Sequence, residues 1–173
     1  MTMRKVSRET NETGFAVGDH VVYPTHGVGK ITSLETQEIV GQKLRLFVIL
    51  FDKDRMTLRV PVAKAKTSGL RRLCTRKEMQ SALSTLKGRS RVKRTMWSRR
   101  AQEYEAKINS GDPKSIAEVV RDLHRNADQP DQSFSERQMY QAALGRLVSE
   151  FAAVERISEE TATQRVEALL KAA

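Results

Sequence analysis

The chain has 173 residues, 39% hydrophobic and 30% charged, a balance that fits one ordinary globular domain or two small ones. Its longest apolar run, Leu46 to Phe51, is far shorter than the ~18–20 residues of a spanning helix, so no membrane span is expected. One cysteine cannot close an internal disulfide, and a net charge of +10 points to an acidic partner.

The position of the charge says more than its total. Residues 1–70 carry 11 Lys/Arg against 7 Asp/Glu, residues 71–107 carry 12 against 3, and residues 108–173 carry 8 against 11. A basic excess focused in the middle of a chain is the footprint expected for nucleic acid. The plainer alternative is a solvated basic helix face.

In chain order, residues 1–13 are polar and read as a disordered lead, without the apolar stretch of a secretory signal. With the lone cysteine, this places the chain in a reducing cytoplasm. Residues 14–66 read as a β domain. His20–Tyr23 is a strand that Pro24 ends, because proline cannot donate to a ladder. Val28–Leu34 alternates as a second strand and Glu35–Val40 as a short third, with Val40–Lys43 as the next turn. Leu44–Phe51 is rich in β-formers and long enough to be buried on both faces. Asp52–Asp54 turns the chain into Met56–Val60, which stops at Pro61. Short strands with tight turns in so few residues describe a bent SH3- or Tudor-like barrel.

Residues 67–74 read as a connector, and residues 75–173 as a helical domain of about five helices. A capping box at Thr75–Glu78 opens the first helix, which runs through Leu86 and is stopped by Gly88. The second is expected from about Thr95, as N-cap, to Ile108. Asp112-Pro113 starts the third, whose core stripe is Ile116, Val119, Val120 and Leu123. After a polar loop over 126–132, a capping box at Ser133–Glu136 opens a long helix to about Arg156, and Ser158 caps the last. The fold class is α+β, in two domains.

Catalytic chemistry finds no support. His20, His26 and His124 lack metal-ligand spacing, and no metal site or cofactor is expected. Cys74 has Arg71, Arg72 and Arg76 nearby, but nothing is built around it, so it reads as a packed side chain. Glu103 and Glu105 are two apart and do not share a helix face. His26-Gly27-Val28-Gly29 lacks the third glycine and the following helix of a dinucleotide site.

The stretch from Arg89 to Arg100 holds the only tryptophan, Trp97, among Arg89, Arg91, Lys93, Arg94, Arg99 and Arg100. On a helix Trp97, Ala101, Tyr104 and Ile108 fall on one side, so Trp97 can head a core stripe. It also falls at a basic helix start, where a large ring can lodge against bases while cations hold phosphates. Both readings stay open on the residues alone.

The run from Val17-Gly18-Asp19-His20-Val21-Val22-Tyr23-Pro24 to Gly29, followed by Leu58-Arg59-Val60-Pro61, resembles the RNA-polymerase-interacting domain of the CarD/CdnL family, a module shared with the transcription-repair coupling factor. Trp97-Ser98-Arg99-Arg100, Ser110-Gly111-Asp112 and Ile116 to Leu123 resemble that family's C-terminal helical domain, and select it over the coupling factor. The resemblance implies a bacterial, non-enzymatic transcription regulator, expected as a monomer associated with the nucleoid through polymerase. Its β domain is expected to dock on the β-subunit lobe through Arg59, Gln37, Leu58, Val60 and Pro61. Trp97 is expected to wedge into promoter DNA at the upstream edge of the bubble, prolonging the open complex, with Arg99 and Arg100 beside it. Two positions depart from basic residues of some members, Gln37 and Gln102. The rivals are a free-standing nucleic-acid binder and a pure protein adaptor that buries Trp97.

Overall fold

The structure is a computed structural model and describes residues 14–51, 53, 55–89, 95–124 and 132–172. The expected lead over 1–13, the turn residues Asp52 and Asp54, most of the polar loop, and the basic residues Arg91, Lys93 and Arg94 lie outside the described residues. The chain divides into two compact units between Arg72 and Leu73.

The first unit is an antiparallel sheet in the order β4-β3-β2-β1-β5. Its strands are β1 (His20–Tyr23), β2 (Gly27–Ile39), β3 (Gln42–Phe51), β4 (Met56–Pro61) and β5 (Arg71–Arg72). Two expectations need correction. The separate strands expected over 28–34 and 35–40 are one 13-residue strand, β2, which absorbs its irregularity as a register shift between Ile31 and Ser33 instead of breaking. The segment expected as a connector over 67–74 is divided: Leu70 is buried in the core of the sheet and β5 pairs with β1, whereas Cys74 packs into the helical core. A two-residue strand offers no alternation to read, which is why it was missed.

Sheet parity decides which side chains build the core. Phe47, Ile49 and Phe51 of β3 point inward with Ile31, Val21 and Val60. Gly29 is where the strands come closest, because a Cβ there would sit 2.7 Å from Ile49 and 2.8 Å from the Phe51 ring. Leu46 and Val48 are buried on the opposite face, so the centre of β3 is covered on both sides as its composition suggested. The β2–β3 hairpin closes on Val40-Gly41, both at positive φ (51° and 75°), the two-residue turn whose twist matches the strands.

The second unit holds α1 (Arg76–Thr85), α2 (Trp97–Asn109), α3 (Pro113–Leu123), α4 (Phe134–Glu155) and α5 (Glu159–Lys171). Met79, Leu83, Tyr104, Ile108, Val120, Leu123, Leu147, Phe151 and Val166 meet in one core. Cys74 is packed into it as well. Four helix starts follow the sequence signals. Thr75, Asp112, Ser133 and Ser158 each accept a hydrogen bond from a backbone N–H three residues on. The fifth does not. The N-cap of α2 is Met96 and not Thr95, so Trp97 is the first helical residue.

Candidate functional site

In the β unit, alternation along β4 sorts the expected contact residues into two groups. Val60 is buried in the core, and Leu58 packs against it from a half-buried position. Their side chains therefore point to the core side and hold the strand. Arg59 and Pro61 lie opposite Val48 and Leu46 of β3, while Glu35 and Gln37 of β2 lie opposite Leu46 and Leu44. Directly opposed residues share a face, so Arg59, Pro61, Glu35 and Gln37 come together on the face away from the core.

The Arg59 Nε donates to Glu35 Oε2 at 3.1 Å, with both side chains well exposed (49% and 38%). An exposed pair of this kind is worth ~0–1 kcal/mol, so it orients the guanidinium at little energetic cost to release. Nothing in the sequence pointed to Glu35 as its partner, because cross-strand register had to be known first. Among the described strands β4 pairs only with β3, which leaves its outer edge open.

In the helical unit, the start of α2 brings Trp97, Arg99 and Arg100 within one turn. Trp97 is half-buried. It packs against the helical core with its ring 6.3 Å from that of Tyr104. The Arg100 guanidinium lies over the indole, 5.3 Å from its centre, a cation–π contact. Arg100 Nε is buried and has no hydrogen-bond partner among the described residues. Arg99 and Arg89 are exposed, Arg89 beyond the end of α1. Gln102, the expected departure, is exposed on α2.

The two sequence readings of Trp97 thus describe different sides of one ring. It heads the stripe with Tyr104 and Ile108, and it still reaches the surface. Met96, which the sequence reading passed over, is 76% exposed immediately before it. A residue in a loop-to-helix junction carries no periodicity, so its exposure was not legible.

The local energetics of this start are unfavourable. Asn, Asp, Ser or Thr at an N-cap is worth ~0.5–2 kcal/mol over an apolar residue. Arg99 and Arg100 in the first turns face the positive end of the helix dipole, at ~0.3–1 kcal/mol each. A cleft of about 670 Å³ opens beside Arg100, lined also by Tyr104, Lys107, Glu118, Arg121 and Asp122. Its charges are largely satisfied internally, by Lys107–Glu118 at 2.8 Å and Arg121–Asp122 at 3.0 Å. Among the described residues no cluster of three His, Cys, Asp or Glu could hold a metal, and no helix is long and apolar enough to cross a membrane.

A family model described as the CarD-like/TRCF RID domain matches residues 15–74, and one described as the CarD C-terminal domain matches residues 81–167. YdeB of Bacillus subtilis (strain 168), by its name a candidate transcription factor, is 30% identical over 146 residues, covering 84% of this chain and 95% of that protein. The solution NMR structure of the 72-residue N-terminal domain of Myxococcus xanthus CarD is 36% identical, covering 34% of this chain and 77% of that one, with a TM-score of 0.30.

Proposed function

The chain belongs to the CarD family, and from that premise we propose that it is a polymerase-bound regulator that stabilises the promoter open complex. In this reading the β unit docks on the β-subunit lobe of bacterial RNA polymerase through Arg59, Gln37 and Pro61, with Leu58 and Val60 holding the strand from within. The open edge of β4 supports it, because an edge strand presents unpaired backbone groups to an incoming strand. The start of α2 contacts DNA at the upstream fork of the bubble, where bases are already partly unstacked and insertion is least costly. Arg99, Arg100 and Arg89, with Arg91, Lys93 and Arg94, hold phosphates and carry no sequence information.

One observation supports this reading above the others: a helix start with exposed apolar and basic side chains where stability favours a polar cap and acidic residues. Local rules broken together, as at Met96 and Arg99, are characteristic of functional positions. Such a tip binds free DNA weakly and loses affinity with salt. Polymerase docking raises its effective concentration at the fork to about the millimolar range. The protein then acts in the cytoplasm as a regulator rather than an enzyme.

The test uses two variants of the full chain with polymerase and one promoter. Trp97→Ala is expected to shorten the open-complex lifetime roughly tenfold while polymerase capture persists. Arg59→Glu is expected to lose polymerase capture while the β unit stays folded. Tight DNA binding without polymerase would favour the free-standing binder, and an unchanged lifetime for Trp97→Ala the adaptor.

A further inference from the structure

We propose that Arg100 is the positioning residue of Trp97: its guanidinium holds the indole in the pose presented to DNA, and it acts through the ring rather than by holding a phosphate. This rests on reading the start of α2 as a DNA-contacting tip, and it changes the part that one cation plays there.

The two arginines after Trp97 differ in their surroundings. Arg99 is exposed, whereas Arg100 is half-buried. Spacing explains the difference. Residues three and four apart share a helix face, so Trp97, Arg100 and Tyr104 follow one another along the side of α2 that packs on the core. Arg99 falls outside that row.

The geometry of Arg100 suits a ring better than a phosphate. Its guanidinium lies over the indole, 5.3 Å from the centre, within the ~6 Å reach of a cation–π contact. Its Nε is buried and finds no hydrogen-bond acceptor among the described residues. An arginine binds phosphate best when its fork of N–H groups meets two oxygens together. With Nε shut away, Arg100 cannot offer that edge of the fork without leaving the ring. The cleft beside α2 shows the same preference. Lys107 and Arg121 are paired there with Glu118 and Asp122. Arg100 makes no ion pair among the described residues, and the indole takes the place of a carboxylate.

Trp97 gains from such a partner. As the first helical residue it has no preceding helical turn to pack against. Tyr104 meets it from the core, with 6.3 Å between ring centres and a tilt of 47°. Tyr104 and Arg100 together restrict the side-chain torsions of the indole. The ordering cost of the ring is then met on folding and not on meeting DNA, which is how a preorganised contact gains affinity.

Lysine separates the two roles, because it keeps the charge that a phosphate needs and loses the planar face that lies on a ring. Arg100→Lys, Arg100→Gln and Trp97→Ala are compared with the parent as full-length proteins. Trp97 is the only tryptophan, so time-resolved fluorescence anisotropy of the free protein reports the motion of this ring. Open-complex lifetime is measured with polymerase on one promoter, and affinity for fork-junction DNA is measured over a range of salt. Both Arg100 variants are expected to show faster ring motion and a lifetime shortened roughly threefold. The salt slope of DNA binding should stay close to the parent's. A phosphate contact gives a different pattern: Arg100→Lys keeps the parental lifetime, and Arg100→Gln lowers the slope by about 0.9. That pattern, or parental ring motion in both Arg100 variants, overturns the assignment. A parental lifetime for Trp97→Ala removes the DNA-contacting tip itself and the assignment with it. A shortened one beside parental lifetimes for Arg100→Lys and Arg100→Gln removes the assignment alone.

Discussion

The exposed face around Arg59 and the start of α2 expose their key residues in different ways. On the sheet, strand parity keeps the two jobs apart: Val60 and Leu58 build the core while Arg59 and Pro61 face outward. At the start of α2 one residue does both, because Trp97 is at once the edge of the helical core and part of the surface. A sheet lets a surface be altered with little effect on the fold. A helix start that shares its ring with the core couples the two.

The largest expected effect tests that coupling. Trp97→Ala should destabilise the helical unit by about 1–3 kcal/mol, less than a fully buried Trp because the ring is only half-covered. Chemical denaturation followed by far-ultraviolet circular dichroism measures it. A change below about 0.5 kcal/mol, within the range of ordinary surface substitutions, would mean that the ring is a free appendage and the contrast is false. Arg59→Glu should give the opposite signature. It loses an exposed ion pair and sets a carboxylate beside Glu35, costing under about 1 kcal/mol of stability. Polymerase affinity should fall about tenfold or more, equivalent to ~1.4 kcal/mol. If affinity and stability fall together, parity has not separated the two roles.

A smaller effect is expected at the hairpin. Val40 is 96% exposed and sits at φ 51°, a left-handed conformation that a β-branched residue adopts only under strain. Val40→Asn should stabilise the β unit by about 1 kcal/mol, because Asn-Gly is the preferred pair for this turn. An unchanged denaturation midpoint would mean that strand pairing alone sets the hairpin. A gain in stability with lost polymerase capture would add the hairpin tip to the Arg59 face.

What was legible in the sequence follows the reach of each signal. Thr75, Asp112, Ser133 and Ser158 are caps whose partners lie within three residues, and all four helix starts fall where the residues placed them. The alternation of Met56–Val60 gave β4. β5 was missed because its existence depends on pairing with β1, far away in the chain. Glu35 was missed as a neighbour of Arg59 for the same reason: 24 residues separate them, and only register joins them. Thr95 was the reasonable N-cap on composition, but the helix starts one residue later, so the polar side chain falls outside the helix and Met96 takes its place. The Trp97 stripe was readable, whereas the depth to which the ring sinks depends on how α2 packs against α3 and α4.

The smallest effect concerns a pair of half-buried side chains in the helical unit. The Tyr140 hydroxyl lies 3.3 Å from His124 Nδ1. Burial raises its pKa above the ordinary tyrosine value, and the negative charge of Glu167 raises it further. The folded state thus holds this proton more tightly than the unfolded chain. Below about pH 10 both states keep the proton and pH has no leverage through this group. As pH rises through that value the unfolded chain ionises first, so stability is lost up to the folded pKa. Lysines titrate in the same range, so the informative quantity is the difference between the parent and Tyr140→Phe, measured as denaturation midpoints from pH 8 to pH 11. Tyr140→Phe should cost a small constant amount at neutral pH, through the lost hydroxyl contact, and should lose stability less steeply above pH 10. Parallel curves would mean that Tyr140 is solvated enough to ionise freely. They would leave Trp97 as the point in this unit where burial and exposure compete.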